Sequence, residues 1–278
     1  MKLNCIDFDA HFAEFTSAWV TEHQSEYRNF DEMEEDMPRA YMEFLNTPAE
    51  WLDMVTPGSY FTQFEDAKDL VDWLNAYCVQ NVPVPDILLE QIMNVGRPCE
   101  KRLTELLKEG NAPEEAMMTA IGLLREMNST LPKMLYIDWQ LHREADDEVK
   151  DNALESLIDM GECVVQPIIQ ELPKANDAGR EALLEVLANW PGPEQTYRLA
   201  EDLFQKYPAK RALFAGYLAK IGDDRALPYL IRAAEEDNCS YLTYIELRNA
   251  IEELGGDCPE RTYDDDPEYE ALRGMDLT

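Results

Sequence analysis

Six times between Leu88 and Leu254 the chain repeats one apolar spacing, and nothing else in it restricts the fold as strongly. A helix-ending residue stands at Gly96, Asn128, Gly161, Pro191, Gly222 and Gly255, with gaps of 32, 33, 30, 31 and 33. One position before these stops stand Val95, Met127, Met160, Trp190, Ile221 and Leu254. Four before stand Ile92, Leu124, Leu157, Leu187, Leu218 and Ile251, and eight before stand Leu88, Ala120, Ala153, Leu183, Phe214 and Leu247. All eighteen are apolar, at the three-four spacing that collects side chains on one face of an α-helix. No helix can hide such a stripe by itself. The period therefore predicts six amphipathic helices that bury their stripes against neighbouring units.

Partner helices of similar length fit between them, over residues 98–109, 131–143, 162–172, 194–206 and 225–236. Residues 1–80 read as helical without the repeat. Asp7 or Asp9 can cap a helix reaching about residue 28, with Phe8, Phe12, Phe15, Trp19 and Val20 on one face. A second helix is expected over 30–45, since the carboxylates of Asp31-Glu32-Met33-Glu34-Glu35-Asp36 suit the positive end of a helix dipole. Thr47-Pro48-Ala49-Glu50 has the pattern of a capping box, Thr56-Pro57-Gly58 breaks the chain, and a further helix is expected over 65–79. The stiff Val82-Pro83-Val84-Pro85 segment marks a boundary. The expected organisation is an N-terminal helical domain over 1–80, a repeat array over 81–258 and an acidic tail over 259–278.

From residue 85 to about 257 the chain resembles the HEAT-like repeats of the bilin-lyase type. Asp147-Glu148-Val149-Lys150, followed by Ala153, Leu154, Leu157 and Gly161, is similar to that family's second helix. Gly222-Asp223-Asp224-Arg225-Ala226-Leu227-Pro228-Tyr229-Leu230 is similar to its turn and first helix, including the proline, which returns at Pro132 and Pro167. Across 97–127 the pattern weakens and the mid-helix proline is missing. The resemblance implies an all-α fold, an α–α superhelix of HEAT-like hairpins. Such arrays are typically protein-binding scaffolds, although some members are bilin lyases or DNA glycosylases, so the fold by itself names no activity.

Charge narrows the function. The chain has 57 acidic and 24 basic residues, a net −33. The excess is spread along it: 17 acids against 4 bases over 1–80, 33 against 18 over 81–258, and 7 against 2 over 259–278. Such a field repels phosphate backbones and anionic membranes and attracts basic partners, which argues against nucleic acid as a ligand. No stretch approaches the roughly 18 apolar residues of a membrane span. The scattered cysteines at 5, 78, 99, 163, 239 and 258 lack CxxC pairs, and reduced thiols in a cytoplasm are expected.

Catalytic motifs are missing: the chain has no HExxH, GxSxG, Walker loop or GxGxxG, and no cofactor is expected. His11 and His23 stand over three turns apart on one helix, about 18 Å, too far to share a metal. His142 begins the carboxylate-rich His142-Arg143-Glu144-Ala145-Asp146-Asp147-Glu148, and Asp264-Asp265-Asp266 opens an acidic tail without the glycine and glutamate of an EF-hand. An enzyme or metal-dependent factor would use one of these two places. The stronger candidate site is a polar ridge two and six positions before each stop, carrying Glu90, Glu126, Glu155, Asp159, Glu185 and Glu253. In the resembled family the second helices line a concave groove. There the ridge implies a non-enzymatic scaffold whose acidic groove engages a basic protein or peptide.

Overall fold

A computed structural model describes residues 3–144, 147–190 and 192–263, together with Tyr269. Among them the regular structure is entirely helical, and the contacts divide the chain into two compact units, Met1–Pro132 and Lys133–Thr278.

The first unit holds α1 (Phe8–His23), α2 (Phe30–Glu35), α3 (Met37–Asn46), α4 (Ala67–Gln80), α5 (Asp86–Val95), α6 (Arg97–Glu109) and α7 (Glu114–Glu126). Asp7 is the cap of α1, accepting from the Ala10 amide at 2.9 Å. Phe8 and Trp19 are buried, while Phe12, Phe15 and Val20 are half-buried. The helix ends at His23 rather than near residue 28, passing into a short 3-10 turn over Gln24–Glu26. The single helix expected over 30–45 is two helices meeting at Asp36, because Pro38 brings no amide proton and starts a new helix instead of continuing the old one. The capping box also fails. Thr47 closes α3, its hydroxyl donating back to the Glu43 carbonyl at 2.6 Å, and only a 3-10 turn, Glu50–Leu52, follows. α4 packs on α5, α6 and α7, so the Val82–Pro85 stretch lies inside this unit.

The second unit holds α8 (Lys133–Leu141), α9 (Glu148–Asp159), α10 (Val165–Glu171), α11 (Asp177–Leu187), α12 (Glu194–Lys206), α13 (Arg211–Ile221), α14 (Leu227–Glu235) and α15 (Tyr241–Glu253). They form four hairpins. α8 packs on α9, α10 on α11, α12 on α13 and α14 on α15, while α9 meets α11 and α13 meets α15 in successive hairpins. Lys210 of the turn before α13 reaches Glu181 of α11 at 2.7 Å. The first helices α12 and α14 are tied by the Tyr197 and Tyr229 hydroxyls, 2.8 Å apart, and by Arg225, which pairs with Glu194 at 2.7 Å and lies over the Tyr197 ring.

The repeating stripe is the core of both units. All twelve residues four and eight positions before the stops are at most 1% exposed. The six residues directly before the stops are half-buried, because there the chain is already turning away. Five of the six stops, Gly96, Asn128, Gly161, Gly222 and Gly255, have positive φ, the conformation that ends a helix and that glycine and asparagine adopt most cheaply. Pro191 lies outside the described residues; Gly192 beside it also has positive φ. Trp190 packs against the Gly161 turn of the hairpin before it, 3.7 Å from where a Cβ there would lie.

The chain after α15 returns along the last hairpin. Arg261 donates to the carbonyls of Ala234 and Asp237 at 3.0 and 2.9 Å, closing the C-terminal end of α14, and the Tyr244 hydroxyl donates to the Pro259 carbonyl at 2.8 Å. Residues 264–268 and 270–278, on which the acidic-tail expectation falls, lie outside the described residues.

Candidate acidic ridge

The stripe that buries a second helix also decides what it shows on the other side. Positions two and six before a stop lie roughly opposite the buried positions on the helix circumference. Glu90 of α5, Glu126 at the end of α7, Glu155 and Asp159 of α9 and Glu253 at the end of α15 are all exposed. Glu155 and Asp159 stand one turn apart on a single helix, and α11, carrying Glu185, packs beside it. Glu90 and Glu126 belong to the first unit, the other four to the second.

Glu185 differs from the rest. It is half-buried, and its charge acts on the buried Tyr217 phenol of α13. Burial, followed by the charges of Glu185 and Glu181, pushes that phenol well above the ordinary tyrosine range, so Tyr217 stays protonated. Glu185 thus combines partial burial with its contribution of charge. Lys220 interrupts the ridge as an exposed cation on α13, and Gly216 leaves a gap one turn earlier. Counting farther back extends the stripe: Glu148 on α9 and Glu246 on α15, thirteen and nine positions before their stops, are exposed on the same faces. Helical periodicity already contained those two residues; they are missed by stopping the count at six.

The basic side chains of the second unit are largely committed elsewhere. Lys150 pairs with Asp147, Arg180 with Asp202, Lys206 with Asp177 and Arg248 with Glu252, at 2.7–3.0 Å. Each such pair adds little stability at the surface, but each removes a cation that could have offset the ridge. The surplus carboxylates therefore set the sign of the potential.

Beside His142, Asp147 and Asp151 make local bonds. His142 is exposed at the helix end, and Ala145 and Asp146 lie outside the described residues. Asp147 caps α9 by accepting from the Lys150 amide at 3.0 Å, and Arg143 pairs with Asp151. Burial works against the charge on Asp147, yet its hydrogen bonds from Lys150 win and hold the carboxyl below its ordinary range. Among the described residues no group of three or more His, Cys, Asp or Glu side chains is arranged to hold a metal ion. No helix of the described residues is long and apolar enough to cross a membrane, and the six cysteines are free thiols. The chain matches no family model, curated protein or solved structure.

Proposed function

We propose that this chain is a non-enzymatic interaction scaffold of HEAT-like hairpins, stacked as an α-solenoid, whose acidic second-helix faces engage a basic protein or peptide in the cytoplasm. The observation that carries this reading is the exposed carboxylate ridge opposite a stripe at most 1% exposed, in a unit whose cations are mostly paired. The repeat resemblance supplies the stacking and the groove; the net −33 supplies the complementarity. Recognition of this kind acts mainly through encounter rate and choice of partner and weakens as salt rises.

The test is capture from native lysate by the full chain and by the triple variant Glu155→Lys, Asp159→Lys, Glu185→Lys, each washed at low and high salt. A basic protein should be retained at low salt in near-stoichiometric amount, and reversal should weaken its binding by about tenfold or more, roughly 1.4 kcal/mol. Equal retention by both chains, or a partner without basic character, would remove the ridge from the account.

A further inference from the structure

The loop between α3 and α4 carries a residue that folding alone does not explain. Residues 49–55 form a tight turn closed by backbone hydrogen bonds: Leu52 and Met54 amides to the Ala49 carbonyl at 3.0 and 2.9 Å, Val55 to Leu52 at 3.0 Å, and Ala49 back to Val55 at 3.2 Å. Trp51 and Leu52 anchor it. Leu52 is 5% exposed, and the Trp51 ring stacks on His11 at 3.9 Å with a 3° interplanar angle and meets Phe8 edge-on at 5.4 Å.

On this anchored base the chain takes two successive left-handed residues, Asp53 at φ 52° and Met54 at φ 68°. Asparagine, aspartate and glycine tolerate that region; an unbranched apolar side chain gains nothing from it. Burial does not offset the strain at Met54, because the side chain is 62% exposed, with Val55 beside it at 37%. A rigid turn therefore presents two adjacent apolar side chains to solvent in a conformation that costs free energy. Backbone strain of this sort gathers where a surface is shaped for something else.

The surroundings specify the chemistry of what would cover it. Glu50 and Asp53 flank the apolar tip, both are exposed, and neither has an ion-pair partner among the described residues. Every described base of residues 3–80 is already paired: Arg28 with Glu32, Arg39 with Glu26, Asp36 and Glu43, and Lys68 with Asp72. No described base of residues 3–80 is left to offset Glu50 and Asp53.

We propose that this turn is a docking element for an amphipathic helix of another protein whose apolar stripe is edged by lysine or arginine. Met54 and Val55 lie on the stripe, and Glu50 and Asp53 pair with the basic edge. Methionine suits the role, being flexible and polarisable enough to fit varied apolar surfaces. Docking at this turn requires none of Glu155, Asp159 and Glu185.

The experiment titrates the full chain with a fluorescent synthetic Leu/Lys amphipathic helix, and with the same helix carrying Gln for Lys. It compares Met54→Gly with wild type, and repeats the pair with the ridge reversed at Glu155, Asp159 and Glu185. Glycine fits the positive φ, so Met54→Gly should melt at the same temperature or higher while binding the Leu/Lys helix about tenfold more weakly in both backgrounds. The Gln helix should bind more weakly than the Lys helix. Equal binding by wild type and Met54→Gly, no preference for Lys over Gln, or a lower melting temperature for Met54→Gly would each overturn the proposal.

Discussion

Alanine at Gly179 is expected to destabilise the second unit by about 3 kcal/mol, the upper end of what overpacking costs. A Cβ there would lie 2.3 Å from the Gln140 carbonyl oxygen and 2.8 Å from that of Leu141, both backbone atoms at the end of α8. Neither can retreat easily. The Leu141 carbonyl accepts the Asn176 amide at 2.8 Å, and the Asn176 side chain donates to the Arg143 carbonyl at 2.7 Å. Gln140 is fully buried and held on both ends of its amide, donating to the Lys150 carbonyl at 2.8 Å and accepting from Arg143 at 3.1 Å. Moving α11 away from α8 would open that network as well as the apolar contact. At about 2–4 °C per kcal/mol for a unit of this size, the melting temperature should fall by about 10 °C. A shift below a degree or two would mean that α8 and α11 are not held together as closely as the carbonyl contacts require.

The second large effect is expected at Phe214, eight positions before the Gly222 stop and fully buried. α13 packs against both α12 and α15, so it is held from two sides and cannot shift freely to fill the void that loss of this ring leaves. Phe214→Ala should cost about 3–5 kcal/mol in urea unfolding, as a lowered midpoint with little change in slope. The neighbouring Leu213 is 42% exposed and serves as the internal comparison: its truncation should cost well under half as much.

What was legible in the sequence follows from which forces act locally. The repeat helices were readable because an apolar stripe and a helix-ending residue coincide there, both written within about eight neighbouring residues. The partner over 194–206 matches α12 residue for residue, while those over 162–172 and 225–236 open with 3-10 turns, Gly161–Val164 and Asp224–Ala226, and their α-helices end one residue early, at Glu171 and Glu235. The N-terminal region was harder to read. Pro38 is the sign in the sequence that 30–45 is two helices, and the acidic run before it marks only where the first of them starts. At Thr47 the same hydroxyl could close a helix or open one, and the outcome depended on a backward bond to Glu43 that spacing does not reveal. Of the candidate site, exposure of the ridge was legible, since it is the complement of the stripe. The partial burial of Glu185 was not, because it depends on a helix of the next hairpin, and neither was the left-handed turn at Asp53 and Met54, whose backbone no local preference predicts.

The central claim is that one register governs all six second helices, with burial at four positions before the stop and exposure at two. The most direct measurement is urea unfolding of paired alanine variants in each helix: Ile92, Leu124, Leu157, Leu187, Leu218 and Ile251 on the buried side, and Asn94, Glu126, Asp159, Asn189, Lys220 and Glu253 on the exposed side. The account predicts a loss of about 2–5 kcal/mol at every buried position and changes within about 0.5 kcal/mol at the exposed ones. Comparable losses on both sides of a helix, or no loss at a buried position, would contradict the register.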